Sequence, residues 1–146
     1  MVNANMILPS IVAYQESHFD GVSLLWREAF PDDPPWNGAE VAIPAKLKVQ
    51  PDLFLVALDR GVVVGSIMAG YDGHRGWLYA VAVLRSVQRR GLGTALVREA
   101  ENRLVAIGCK KINLQLRSSN TAVAKFYQSL GYAVEERVSM GKRIQR

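Results

Sequence analysis

The sequence predicts a mixed α+β fold, with one central, mostly antiparallel sheet that carries helices on both of its faces. Three apolar segments follow one another between positions 53 and 84, separated only by short turns, which is typical of neighbouring antiparallel strands. A strand–helix–strand pattern comes next, between positions 77 and 116, and this order favours a mixed sheet over a doubly wound one. The predicted element order is β-α-α-β-β-β-α-β-α-β-β.

The length and composition predict one globular domain. A chain of 146 residues is long enough for a single core and too short for two, so we expect a tail at residues 1–9 and one domain at residues 10–146. No apolar run approaches the ~20 residues of a membrane span, and the start lacks a basic signal segment, so we expect no membrane association. Because the single cysteine, Cys109, cannot form an internal disulfide or a metal cluster, we expect a cytoplasmic protein without a metal.

The first third of the chain predicts a strand and two helices. The strand covers residues 10–14, and an amphipathic helix covers residues 19–30. Three prolines exclude regular structure from residues 31–38, and a weaker second helix at residues 39–49 contains Pro44. The apolar residues of the first helix recur at helical spacing; they are Phe19, Val22, Leu25, Trp26 and Phe30.

The middle of the chain predicts three consecutive strands. They cover residues 53–58, 62–71 and 77–84, and all three are rich in apolar and β-branched residues. Glycine-containing turns at residues 59–61 and 72–76 join them. These strands are expected to form the centre of the sheet.

The last third predicts two helices and the remaining strands. A long helix is expected at residues 91–107 and a second one at residues 120–130, with a strand at residues 112–116 between them. Two final strands, at residues 132–138 and near Met140, would complete the sheet. The apolar stripe of the long helix consists of Leu92, Leu96, Ala100, Leu104 and Ile107.

The junction between the third central strand and the long helix has the chemistry of a phosphate-binding loop. Glycines at such a junction let a ligand approach the backbone without meeting a Cβ atom. The first turn of a helix attracts anions, because its N–H groups are unpaired and its dipole end is positive. Two arginines add positive charge. The junction consists of Gln88, Arg89, Arg90, Gly91, Leu92, Gly93 and Thr94.

Two common phosphate loops are excluded by the residues present. No Gly-Lys-Ser or Gly-Lys-Thr occurs, which excludes a P-loop. Leu96 occupies the position of the third glycine of a dinucleotide fingerprint, and the next strand carries no acid. The remaining pattern, Q-x-x-G-x-G-T after a strand, resembles the pyrophosphate loop of the GNAT N-acetyltransferase superfamily, which binds acetyl-coenzyme A.

A second motif strengthens the resemblance. Residues 120–132 match the superfamily pattern N-x-x-A-x-x-F-Y-x-x-x-G-[FY], in the correct order after the loop. With the element order, the resemblance covers nearly the whole chain from Ser10 onward. The run Gly-Tyr-Asp-Gly-His-Arg-Gly at residues 70–76 is similar to the small bacterial YpeA-like branch.

The resemblance implies direct transfer of an acetyl group from acetyl-coenzyme A to a primary amine in a ternary complex, without a metal. It implies that the backbone of Val81, Ala82 and Val83 binds the pantetheine and acetyl carbonyl, with an N–H near Val83 as the oxyanion donor. Residues 88–94 would hold the pyrophosphate. Asn120 would contact the cofactor near its pantetheine end, a role compatible with that of a helix N-cap.

The same resemblance assigns a proton donor and leaves the base open. Tyr127 would contact the cofactor and protonate the departing thiolate, and its ordinary pKa of ~10 keeps it protonated at pH 7. Packing alone also explains an aromatic residue at this helical position. The strand at residues 77–83 carries no acid. The candidate bases are Asp72, His74, Tyr79, Glu40 and a water chain.

The acceptor is expected between the first helical region and the edge of the central strands. Trp36 and Trp77 would form aromatic walls, although Trp36 also suits a role in pinning its loop to the core. The acids Asp32, Asp33 and Glu40 would attract a cationic amine. A small-molecule amine, a peptide N-terminus and a lysine side chain are all open as acceptors.

Two other function classes compete with this hypothesis. A non-catalytic module that binds coenzyme A or a protein partner would also explain the missing strand acid. The net charge of +5 suits a nucleic-acid binder, but the basic residues are dispersed and no nucleic-acid motif accompanies them, so no nucleic acid is expected. An exposed terminal strand would favour a homodimer.

Overall fold

The computed structural model describes residues 9–144, so most of the predicted tail lies outside the described residues. The helices are α1 (Phe19–Ala29), α2 (Ala39–Lys46), α3 (Leu92–Ala106) and α4 (Thr121–Ser129). The strands are β1 (Ser10–Ala13), β2 (Phe54–Asp59), β3 (Val62–Tyr71), β4 (Gly76–Val83) and β5 (Ile112–Leu114). None of the helices in residues 9–144 has the length and apolar character that a membrane span requires.

The five strands form one mixed sheet. Their order is β1-β2-β3-β4-β5, the first four are antiparallel, and β5 is parallel to β4. The parallel pair is joined through α3, as a strand–helix–strand connection requires. The predicted α+β class with a mostly antiparallel sheet is therefore confirmed.

Helices cover both faces of the sheet. Adjacent residues of a strand point to opposite faces. Ser66 of β3 accepts a hydrogen bond from Trp26 of α1, whereas its neighbour Gly65 faces Leu96 of α3. A Cβ atom on Gly65 would lie 2.9 Å from Leu96 Cδ1, so a larger residue at this position would displace the Leu96 side chain of α3. The buried core between α1, α2 and their face of the sheet includes Val22, Leu25, Trp26, Ile43, Phe54, Val56 and Met68.

The chain divides into two compact units, one that ends at Gln115 and one that begins at Leu116. The sheet and helices α1 to α3 belong to the first unit, and α4 belongs to the second. The single domain expected at residues 10–146 stays a prediction.

The two final strands, expected at residues 132–138 and near Met140, are wrong for the described part of the chain. No strand follows α4 up to residue 144. Val134, Val138 and Met140 are largely exposed, so the alternation of apolar residues here lines no core. A strand also needs a neighbouring strand for its backbone hydrogen bonds, and the part of the chain from residue 132 to residue 144 is not assigned to one. The homodimer was expected because of an exposed terminal strand, and this strand is not present in the described residues. The homodimer stays a prediction.

The second helix is shorter than expected. It ends at Lys46 rather than near residue 49. Pro44 lacks a backbone N–H, which removes one hydrogen bond from the helix. After Lys46 the chain tightens, because Lys48 N–H donates to the carbonyl of Ala45 and Val49 N–H to that of Lys46. The chain then turns through Gln50, whose φ of 54° lies in the left-handed region, before β2 begins.

Candidate functional site

One edge of β4 opens in its second half. β4 pairs with β5 only at Gly76, Trp77 and Leu78, and no strand in residues 9–144 continues this pairing toward Val83. The N–H of Leu84 donates to the carbonyl of Val64 on β3 at 2.9 Å. Because backbone groups alternate in direction along a strand, the N–H and carbonyl of Val83 point away from β3 and toward the open edge.

A bulge in β4 lies directly before this opening. Ser66 is paired with Ala82 and Met68 with Tyr79, so β4 has one residue more than β3 across this stretch. Ala80, inside the bulge, has a φ of 51°, which is unusual for a residue with a Cβ atom. Such bulges redirect the groups that follow them.

A buried hydrogen-bond chain holds the bulge. The hydroxyl of Ser66 donates to the carbonyl oxygen of Ala80 at 2.9 Å and accepts from Trp26 Nε1 at 2.9 Å. Ser66 is fully buried and Trp26 is 5% exposed. Sequence reasoning placed Trp26 in the core and missed this role. The available signal was Ser66 itself, the one polar residue in an otherwise apolar run of β3.

The predicted phosphate loop has the backbone geometry of an anion site. Arg89 and Gly91 have φ values of 67° and 80°, and Gly91 precedes the first residue of α3. When residues with positive and negative φ alternate, successive backbone N–H groups turn toward one point. Within residues 9–144 no side chain caps the N-terminus of α3, and its first turn carries no acid. Arg89 and Arg90 are exposed and form no ion pair with another described residue.

Two contacts connect this loop, and the turn directly before it, to their surroundings. Gln88 Nε2 donates to the carbonyl of Val83 at 3.1 Å, so the loop reaches back to the open strand edge. Glu28, near the end of α1, accepts a hydrogen bond from the N–H of Arg85 at 3.2 Å. No motif or spacing in the sequence distinguishes Glu28 from other acids on a helix surface. The loop and the open half of β4 are thus brought together, and the cofactor roles of residues 81–83 and 88–94 stay predictions.

A groove of about 430 Å³ lies where the end of α1, the proline-rich loop and the start of α2 meet. Trp26 lines it, together with the charged side chains of Arg27, Asp33 and Glu40. Of the acids proposed to attract an amine, Asp33 and Glu40 therefore line the groove, and Asp32 does not. Trp36 is 46% exposed and is not part of the lining.

Asp72, one of the candidate bases, accepts hydrogen bonds from its own turn and from Trp77. Asp72 Oδ1 accepts from the N–H groups of Arg75 and His74, each at 2.7 Å, and Oδ2 accepts from Trp77 Nε1 at 3.3 Å. These hydrogen bonds hold the pKa of Asp72 below its usual value. A carboxylate that stabilises a turn and binds protons weakly is a poor general base.

The other candidate bases have different environments. Burial raises the pKa of Tyr79, which makes its phenol a reluctant proton acceptor at neutral pH. His74 is exposed, with Nδ1 at 3.4 Å from Arg75 Nη1. Glu40 is the one candidate that lines the groove.

Lys46 lies buried beside Tyr79. Its Nζ donates to the carbonyl of Ala69 at 2.5 Å and is 5.8 Å from the centre of the Tyr79 ring. Burial lowers the pKa of the amine, and Asp52 opposes this only in part. Nothing in the sequence pattern distinguished this lysine from a surface lysine.

The second unit presents Asn120 and Tyr127 on α4. Asn120 caps the helix, since its Oδ1 accepts from the N–H of Val123 at 3.4 Å. Past the other end, Tyr132 N–H donates to the carbonyl of Tyr127 and Gly131 N–H donates to that of Gln128. This is a Schellman motif, with Gly131 at a φ of 98°.

The Schellman motif explains the spacing of the second sequence motif. It folds Tyr132 back onto Tyr127, with ring centres 5.6 Å apart, while Phe126 packs on Tyr127 at 5.0 Å. Tyr127 is 5% exposed, and burial raises its pKa to about 12. The cofactor and acid roles of Tyr127, and the cofactor role of Asn120, stay predictions.

Comparisons with known proteins agree with this architecture. The sequence profile described as the acetyltransferase (GNAT) family matches residues 17–132. A protein of Yersinia enterocolitica named acetyltransferase is 42% identical over 136 residues, which cover 92% of this chain and 94% of that protein.

Solved structures share the fold at low sequence identity. The Ard1 protein of Thermoplasma volcanium superposes with a TM-score of 0.80 at 19% identity, covering 88% of this chain and 85% of that one. An aminoglycoside N-acetyltransferase in complex with a bisubstrate analogue of coenzyme A gives a TM-score of 0.74 at 21% identity, covering 93% and 98%. The profile match, the relatives and the fold together show that this chain belongs to the GNAT acetyltransferase family.

Proposed function

We propose that the protein is an acetyl-coenzyme A-dependent N-acetyltransferase that transfers the acetyl group directly to a primary amine in a ternary complex. One observation carries the proposal. The N–H of Val83 points to an open strand edge that is connected, through Gln88, to an uncapped and basic helix N-terminus. This arrangement suits a long ligand with an anionic end and a reactive carbonyl.

The donor is proposed to lie along the loop and the open edge. The backbone N–H groups and arginines of residues 88–94 bind the pyrophosphate, and the backbone of residues 81–83 binds the pantetheine and the acetyl carbonyl. Asn120 contacts the pantetheine end in addition to capping its helix. The aminoglycoside N-acetyltransferase of similar fold carries a coenzyme A analogue in its structure, which supports the choice of donor.

The proposed chemistry needs an oxyanion donor and an acid. A neutral amine attacks the thioester carbonyl, and the N–H of Val83 stabilises the oxyanion that develops. The carbon–sulfur bond then breaks, and Tyr127 gives its proton to the departing thiolate. The proton lost by the amine leaves through a groove carboxylate or water, so an amide and free coenzyme A are the products.

The acceptor is proposed to bind in the groove beside α1. Asp33 and Glu40 line it and would attract an ammonium group before it loses its proton. Arg27 adds a cation to the same lining, which suits an acceptor that also carries an acidic group. A small amine, a peptide N-terminus and a lysine side chain all have the reactive group required.

The proposal is tested by binding and by turnover. Calorimetry with acetyl-coenzyme A should show saturable binding to the folded protein. Free thiol should then be released faster when an acceptor from a panel of small amines, peptides and lysine derivatives is added. Absence of binding to protein that circular dichroism shows to be folded would contradict the proposal.

A second candidate is a module that binds coenzyme A without catalysis. The observation that favours it is the lack of any carboxylate on β4, from Gly76 to Val83. This candidate predicts the same calorimetric binding, and no thiol release with any acceptor of the panel.

A further inference from the structure

We propose that Trp26 and Ser66 are positioning residues for the acetyl transfer, because they hold the β4 bulge that directs the backbone of Val83 to the open edge. The inference deepens the proposed function and rests on it. It assigns a task to two buried side chains, one on α1 and one on β3.

The first step is that the bulge needs support. Ala80 adopts a φ of 51°, a region that residues with a Cβ atom occupy at a cost. Such a conformation persists where the surrounding structure holds it. Since the bulge adds one residue to β4 between the partners of Ser66 and Met68, removing it would shift the register and reverse the direction of the groups beyond it.

The second step is that the support comes from the hydrogen-bond chain. A serine hydroxyl has one proton to donate and two lone pairs to accept with. Ser66 gives its proton to the carbonyl of Ala80 and accepts from the indole N–H of Trp26, both at 2.9 Å. Ser66 has no exposed surface, so water does not compete for these bonds. Trp26 thereby orients the hydroxyl that fixes Ala80.

The third step connects the chain to the acceptor groove. Trp26 lines the groove, and its indole N–H reaches from there to Ser66 in the sheet. Packing against Phe30 and Phe54, with ring centres 6.5 and 6.2 Å away, keeps the ring in place. An acceptor that packs on Trp26 would therefore contact the same side chain that donates to Ser66 and supports the bulge.

The experiment compares Trp26→Phe, Ser66→Ala and the double variant with the wild type. The matched control is Tyr14→Phe, which removes a buried hydroxyl of the same core that has no hydrogen-bond partner in the described structure. We expect Ser66→Ala to lower kcat at saturating acetyl-coenzyme A by roughly 10- to 100-fold, since a misplacement of about 1 Å has that effect. The calorimetric affinity for coenzyme A should fall less than kcat, because the proposed pyrophosphate contacts of residues 88–94 are untouched.

Two further readouts separate positioning from a loss of stability. The double variant should be no slower than Ser66→Ala, because both substitutions act on one chain. In the ligand-free protein, amide exchange at residues 80–83 should accelerate in Ser66→Ala while the amides of α3 keep their protection. Tyr14→Phe should match the wild type in both measurements. If Ser66→Ala fails to fold, Trp26→Phe alone decides, with a smaller effect on kcat.

Unchanged kcat and unchanged exchange in a folded variant would overturn the inference. Loss of kcat in strict proportion to a loss of folded protein would overturn it as well. A wild type that binds no acetyl-coenzyme A would instead contradict the proposed function, whereas the exchange measurement in the ligand-free protein would still show whether the pair holds the bulge.

Discussion

At the scale of single residues, Tyr127 has an environment that keeps its hydroxyl protonated. Its ring is held between Phe126 and Tyr132, and burial raises its pKa to about 12. A phenol with this pKa stays protonated at neutral pH and well into the alkaline range. The phenol therefore still carries its proton at any pH at which an amine acceptor is reactive.

The substitution Tyr127→Phe keeps the ring and removes the proton. We expect kcat to fall by roughly 10²- to 10⁴-fold, which is the usual contribution of general acid catalysis. Tyr132→Phe serves as the control, since it removes the hydroxyl of the neighbouring ring. Steady-state kinetics and calorimetry should show lost turnover with retained coenzyme A affinity in Tyr127→Phe alone. A Tyr127→Phe variant as fast as the wild type would rule out the acid role.

Lys46 predicts a pH-dependent stability. Its folded-state pKa lies below the ordinary value of 10.5 because of burial. Between the folded and unfolded pKa values the unfolded chain binds more protons, so this lysine makes the protein more stable as the pH rises toward 10.5.

The variant Lys46→Met has no group that titrates at this position. The free energy of unfolding of the wild type, relative to Lys46→Met, should therefore increase from neutral pH toward about 10.5. Urea unfolding at a series of pH values measures it. Lys48→Met, which removes an amine from an exposed side chain, is the control. If the free energy of unfolding of the wild type, relative to Lys46→Met, decreased with rising pH, the amine would not be buried as described.

At the scale of elements, the turn into α3 combines a structural and a binding requirement. Gly91 has a φ of 80°, and a Cβ atom there would meet no atom of the described residues within 4 Å. The space beside it is therefore open to a ligand. Gly61, in the turn between β2 and β3, has the matching φ of 81° and equally open surroundings.

Because Gly91 and Gly61 have the same backbone conformation, comparing them separates the effect of a substitution on folding from its effect on ligand binding. Gly91→Ala and Gly61→Ala should each destabilise the fold by about 1–2 kcal/mol, because alanine is strained in the left-handed region. Only Gly91→Ala should also weaken coenzyme A binding, by roughly tenfold or about 1.4 kcal/mol, because its methyl group meets the phosphates. Chemical denaturation and calorimetry on both variants give the comparison. Equal affinities in the two variants would contradict a phosphate site at this turn.

At the scale of the whole molecule, ligand binding and stability are linked. A ligand that binds only the folded state stabilises it by about 2.7 kcal/mol at a concentration of 100 Kd. For a chain of this size that corresponds to a rise in Tm of roughly 5–10 °C. The net charge of +5 favours any polyanion, so specificity must be judged against another phosphate compound.

Acetyl-coenzyme A and free coenzyme A should therefore both raise Tm, and ATP should raise it much less. Thermal unfolding with each compound at equal concentration and ionic strength makes the measurement. A similar rise with all three would indicate general attraction of phosphates by a basic protein, and would count against a built cofactor site.

The sequence by itself determined the sheet class, the order of elements up to α4 and the glycine-arginine loop, because these follow from local periodicity and turn chemistry. It also marked the Asn120 cap and the Gly131 closure of α4, which are set by neighbours along the chain. Only the tertiary structure decided that the apolar alternation after α4 forms no strand in the described residues, since a strand needs a distant partner.

The tertiary structure also decided which candidates share a site. Glu40 lines the groove and Asp72 holds a turn, although both are acids near predicted loops. Two hydrogen bonds join Ser66 to Trp26, which lies 40 positions away along the chain, and to Ala80, which lies 14 positions away. Contacts of this kind depend on how the sheet and helices pack, and the local sequence does not predict that packing.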